Sequence, residues 1–170
     1  MFLLFLFILT GPIILVSNTE KTYFLFSDSE EMREVVLFLF EGEELTIFNS
    51  AELSHMEDVR RLLIVGKWFF VFSLIILFLY FYNFSDKKLL RSTGLSGVVF
   101  GFVLTLLTLI NFDFVFRVFH LVLFPQGNWM FPYDSLIIEL FSQELFFVIG
   151  VFCVSVSLAS YLFCYYQGTR

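Results

Sequence analysis

Between residues 94 and 112, and again between 145 and 166, the chain contains no Asp, Glu, Lys or Arg. Each run matches the roughly 20 predominantly apolar residues that carry a helix across bilayer hydrocarbon. Within hydrocarbon every backbone N–H and C=O must be paired inside the spanning structure, so runs of this length are read as helices. Two further stretches follow the same pattern. Residues 62–82 are apolar apart from Lys67, and residues 1–16 are apolar but short, with Gly11 and Pro12 near their end. Composition agrees: 59% of residues are hydrophobic, 15% are charged, and there are 27 phenylalanines. A water-soluble domain is roughly half apolar and about a quarter charged. The expected fold is therefore an all-α membrane protein, a four-transmembrane-helix bundle with a small extracytoplasmic cap, forming one domain over residues 1–170.

The first span lacks a basic leading region and a small-x-small cleavage signal, so it reads as a retained anchor. Orientation follows from the cationic residues, which collect in cytoplasmic loops. The short loop 84–93 carries Lys87, Lys88 and Arg91 against Asp86, whereas 17–61 is dominated by acids. Loop 84–93 and both termini are expected inside, with 17–61 and 113–144 sharing the outer face. The net charge of −6 then describes an acidic outer cap, which gives no reason to expect nucleic-acid binding. Cys153 and Cys164 both lie in the last span, about 16 Å apart along one helix, which excludes a disulfide between them.

The outer segments carry the chemistry-bearing residues. Ser27-Asp28-Ser29-Glu30-Glu31 reads as a helix start, and Met32, Val35, Val36 and Leu39 recur at helical spacing towards Gly42. Glu52, His55 and Asp58 then recur every three residues on a helix predicted to run on into the second span, placing His55 near the membrane boundary. Arg60 and Arg61 are expected at headgroup level, where long cationic side chains reach water and phosphate. In the second outer segment Asp113, Arg117 and His120 follow i, i+4, i+7. Pro125-Gln126-Gly127-Asn128 breaks that helix. Trp129 and Tyr133 suit an interface, and Asp134-Ser135 can start another helix. The chain has two histidines, and the topology puts both on one side of the membrane. Ionisable groups beside a membrane core are functional candidates.

Glu52-x-x-His55-Met56-x-Asp58-Val59 before a spanning helix resembles a signature of the Lit family, the lipoprotein intramolecular transacylases. Phe112-Asp113-x-x-Phe116-x-x-Phe119-His120-x-x-x-Phe124, with Gly127-Asn128-Trp129 and Asp134-x-Leu136-Ile137, resembles a second. The chain departs from the family before the last span, where Phe141-Ser142-Gln143-Glu144 stands in place of a frequent proline-glutamate pair. It departs again after Trp129, where Met130-Phe131-Pro132-Tyr133 replaces a frequent aspartate-proline pair.

The resemblance implies transfer of the sn-2 acyl chain of a lipoprotein's diacylglyceryl-cysteine onto that cysteine's α-amino group. The expected partners are a diacylglyceryl-modified lipoprotein, as substrate, and membrane lipids; no cofactor is expected. Such an ester-to-amide transfer needs a base for the amine, a donor for the oxyanion and a proton for the departing glycerol oxygen. His55 and His120 are the candidate catalytic residues, with exchangeable roles. Glu52 and Asp58 are candidates to orient His55, Asp113 to orient His120, and Arg117 to contact the oxyanion or a phosphate. Trp129, Asn128 and Asp134 are substrate-binding candidates. Two competing readings are a membrane zinc-dependent hydrolase, with ligands gathered from separate segments, and a non-enzymatic structural membrane subunit.

Overall fold

A computed structural model describes residues 29–83 and 86–170. The expected first span, 1–16, lies outside the described residues. The described residues form helices α1 (Glu30–Phe40), α2 (Ser50–Asn83), α3 (Lys87–Ile110), α4 (Phe112–Leu123), α5 (Leu136–Leu140) and α6 (Gln143–Thr169), with no strand among them.

Local chemistry sets the helix ends. The Ser29 hydroxyl accepts the Met32 N–H at 3.1 Å, and Glu30 and Glu31 occupy the first turn of α1, where negative charge suits the helix dipole. That helix closes where the Gly42 N–H reaches back to the Leu37 carbonyl, a turn that puts Gly42 at φ +85°. At the head of α2, Asn49 and Glu52 cap reciprocally. The Asn49 side chain accepts the Glu52 N–H at 3.1 Å, and the Glu52 carboxylate accepts the Asn49 N–H at 3.0 Å. Asn111 both ends α3, donating its N–H to the Leu107 carbonyl, and starts α4, its side chain accepting from the Phe114 N–H at 3.0 Å.

Two kinds of packing follow. In the first, α1, the start of α2 and the segment around α5 close over Val35, Phe38, Leu45, Phe48, Met56 and Ile137. The helix that the sequence predicts between Ser29 and Gly42 is present, with Met32, Val35 and Phe38 turned inward. In the second, α3 and α6 pack antiparallel. A Cβ on Gly94 would meet the Tyr165 backbone, one on Gly97 the Tyr161 ring, and one on Gly101 the Leu158 side chain at 2.7 Å. Glycines thus let the two helices approach closely. Phe102, Leu109, Phe152 and Phe163 face outward, while Thr105, Ser155 and Ser157 return their hydroxyls to carbonyls four residues back.

Helices α3 and α6 are long and apolar enough to cross a membrane, and contain most of the expected 94–112 span and all of the 145–166 span. Helix α2, at 34 residues, is about 51 Å long. Its first turns belong to the packed head, whereas Trp68, Phe72, Phe78 and Leu79 further along are exposed.

Candidate active site

His55 lies one turn past the Asn49–Glu52 cap on α2, and His120 lies in the last turn of α4. The helices bring the two imidazoles to a centroid separation of 6.2 Å. Both are buried, at 7% and 6% exposure. Phe124 touches both rings, 4.7 Å from His55 and 5.8 Å from His120. Phe131 flanks His55 at 5.6 Å, and Trp129 and Phe116 flank His120 at 5.0 and 4.1 Å. The pair therefore sits in an aromatic chamber walled by the break after α4.

That environment disfavours the charged imidazolium. Burial and, second, the neighbouring His120 lower the proton affinity of His55, while Asn128 and Asp58 act in the opposite direction. Burial also lowers that of His120, with a smaller opposing effect from the Phe116 carbonyl. Two neutral imidazoles at pH 7 are two available bases. His120 Nδ1 lies 2.8 Å from the Phe116 carbonyl oxygen. A carbonyl only accepts, so Nδ1 carries the hydrogen and Nε2 keeps its lone pair.

The remaining predicted residues divide into those the fold brings together and those it leaves apart. Glu52 is 3% exposed but is turned away from His55. One oxygen closes the helix cap and the other accepts the Ile137 N–H at 3.2 Å, linking the two outer segments. Asp58 oxygen Oδ2 accepts from Asn128 Nδ2 and Gln126 Nε2, each at 2.7 Å, and Oδ1 accepts from Arg61 at 3.2 Å. The Asn128 amide foremost, then Gln126, Arg61 and His55, hold the Asp58 carboxyl below the usual carboxylate range. Asp113 and Arg117 are exposed on α4, and neither makes a hydrogen bond or ion pair among the described residues. Arg60 lies over the Phe38 ring at 5.3 Å, so it leans on the head core. Tyr133 is 99% exposed.

Sequence reasoning did not find Gln126 as a ligand of Asp58, nor Ser135 as a site residue. A cavity of about 390 Å³ is lined by Asn49, Ala51, Asn128, Phe131, Asp134 and Ser135, and it adjoins the chamber through Phe131, which flanks His55. His55 Nδ1, Asn128 Oδ1, Trp129 Nε1 and Ser135 Oγ are buried with no hydrogen-bond partner. Buried polar atoms are rarely left unpaired; of these residues Asn128 and Ser135 line the cavity, while Trp129 flanks His120. No three His, Cys, Asp or Glu side chains among the described residues converge as a metal site needs.

The sequence profile of the lipoprotein intramolecular transacylase Lit family matches residues 39–147, which includes both histidines and their aromatic walls. The chain belongs to the Lit family. An uncharacterised protein of Aquifex aeolicus (strain VF5) is 30% identical over 124 residues, 68% of this chain and 52% of that protein. The chain thus spans about half the length of that relative. The fold is similar to the in meso structure of the membrane-integral transacylase Lit from Bacillus cereus. The TM-score is 0.67 at 18% identity, covering 96% of this chain and 81% of that one. At that identity the likeness to the Bacillus protein is one of fold. Within the Lit profile the four unpartnered atoms and the histidine pair fall in the matched region, whereas the end of α3–α6 contact near Gly168 lies beyond it.

Proposed function

We propose that this Lit-family protein moves an acyl chain from the glyceryl ester of a lipoprotein's diacylglyceryl-cysteine to the α-amino group of the same cysteine. The observation that carries the reading is the convergence of His55 and His120, 6.2 Å apart, in a chain with two histidines and a Lit-family sequence. The amine nitrogen attacks the ester carbonyl as an imidazole Nε2 takes its proton. The tetrahedral intermediate then collapses, the ester C–O bond breaks, and the proton passes to the glycerol oxygen. An amide bond replaces the ester bond, and no other reactant is consumed. Amine and ester share one molecule, so holding them in a near-attack pose supplies much of the acceleration.

Nearby residues fit the other needs. Trp129 Nε1–H is a buried, unpartnered donor on a ring 5.0 Å from His120, which suits the oxyanion. Arg117, exposed on α4, is less suited to that role than the indole. The cavity beside Phe131, with Asp134 and Ser135 in its lining, offers a place for the neutral α-amine and the first peptide groups. In this reading α2, α3, α6 and the first span cross the membrane, with termini and loop 84–93 inside. The packed head and the second outer segment then form the extracytoplasmic cap, with membrane lipids around the exposed phenylalanines.

The test is mass spectrometry of lipoprotein amino-termini from cells with and without this protein. The expected result is an amide-linked acyl chain with a lyso-glyceryl group only when the protein is present. Acyl chains that stay on glycerol in both samples sink the proposal. Insensitivity to chelators separates it from a zinc hydrolase. Unchanged function in His55→Ala and His120→Ala would instead support a structural subunit.

A further inference from the structure

The loop that follows α4 reaches α2 through two amides on one oxygen. Gln126 Nε2 and Asn128 Nδ2 each lie 2.7 Å from Asp58 Oδ2. Gly127 between them takes φ +79°, a conformation that a side chain there would strain, and this turn lets both neighbours reach the same acceptor. An ionised carboxylate only accepts hydrogen bonds, so the Asn128 NH₂ must face Asp58, and Oδ1 is committed to the opposite side. Asn128 Oδ1 is buried with no partner, and so is His55 Nδ1. His55 lies one turn before Asp58 on α2, so Asn128, held on Asp58, is brought beside the His55 ring and favours its protonated form. An acceptor and a ring nitrogen, both without partners and close together, complement each other only if that nitrogen bears hydrogen.

We infer that Asn128, oriented by Asp58, is a positioning residue that fixes His55 as its Nδ1–H tautomer, so that the Nε2 lone pair faces the reacting groups. His120 reaches the same tautomer by a different device, its own helix carbonyl at Phe116. Asp58 therefore acts on His55 through an amide. The amide transmits orientation without passing a second negative charge to the chamber, and both imidazoles remain neutral. The consequence for chemistry rests on His55 being an acid–base group of the proposed transfer; the tautomer itself does not.

The experiment is ¹⁵N-histidine NMR of the full chain in lipid nanodiscs, above the titration of both rings. Two histidines give two sets of ring signals, assigned with His120→Gln. The wild type is expected to show pyrrole-type Nδ1 and pyridine-type Nε2 in both rings. In Asn128→Leu the His55 signals should move towards the Nε2–H form, while His120 signals stay in place and report an intact fold. Asp58→Asn, which lets the Asn128 amide turn over, should shift His55 in the same direction. Acyl transfer by Asn128→Leu should fall about 10- to 100-fold, a part of the 10²–10⁴ typical of a positioned base. An Nε2–H His55 in the wild type, or His55 signals unchanged by Asn128→Leu, would overturn the inference. Loss of transfer with an unchanged tautomer overturns it and leaves the transacylase reading standing. The expected tautomers in a protein that transfers no acyl chain overturn the transacylase reading alone.

Discussion

The head and the α3–α6 pair bury opposite kinds of residue. In the head, Val35, Phe38, Met56 and Ile137 are inside, and acids and amides face water or tie segments together. Between α3 and α6, Gly94, Gly97, Thr93 and Ser157 are inside, and phenylalanines and leucines face outward. The head is organised by the exclusion of apolar surface from water. The helix pair is organised by close backbone approach, as in a medium already as apolar as its side chains. One chain therefore obeys two packing rules, and both histidines belong to the segments that pack with the head rather than to the α3–α6 contact.

Substitutions sharpen that contrast. Phe38→Ala should cost the head about 3–5 kcal/mol, because a buried aromatic ring is lost and a cavity remains. The drop would be read by thermal or denaturant unfolding in detergent, with α3–α6 contacts retained. Gly94→Leu should be damaging in the other region, since its side chain would meet the Tyr165 backbone. A well-packed contact resists such insertion by about 1–3 kcal/mol or more, and cross-linking between α3 and α6 should fall. Glu52→Ala leaves the Asn49 and Ile137 N–H groups without their carboxylate, at about 1–3 kcal/mol. It should loosen the segment 128–141 in hydrogen exchange before it unfolds α2.

Much of the helical frame was legible in the sequence. The repeat of Met32, Val35 and Leu39, the Pro125–Asn128 break and the charge-free runs each report a local rule. The two histidines could be put on one side because two apolar runs, 62–82 and 94–112, lie between them. The support around them could not. Glu52 and His55 suggest a pair by their spacing, but an acid at the third helical position satisfies the helix's own cap first. Asp113 and His120 share a face in projection, yet seven residues separate them by about 10.5 Å along the axis, and the Phe116 carbonyl is nearer. The Asp58–Asn128 bond joins residues far apart in the chain, and no local periodicity encodes it.

The pH response is a smaller test. Both imidazoles bind protons less readily folded than unfolded. The unfolded chain therefore takes up protons first as pH falls through about 6.5. Histidine-linked stability should be full above that value and decline below it, towards the lowered folded pKa values. His120→Gln should flatten the decline in unfolding measured between pH 7 and 5. The smallest effect is expected from Phe102→Leu. That ring is exposed on α3, and the change should stay within about 0.5 kcal/mol in a bilayer, far below Phe38→Ala in the head.

The central claim is that the two histidines move an acyl chain within one lipopeptide. Its most direct test uses purified protein in nanodiscs with a synthetic diacylglyceryl-cysteinyl peptide isotopically labelled in the sn-2 chain. The account predicts that label passes from ester to amide in the same molecule, and that His55→Ala and His120→Ala each slow this by about 10²–10⁴-fold while the protein stays folded. Label that remains on glycerol, or transfer that continues undiminished without either histidine, would contradict it.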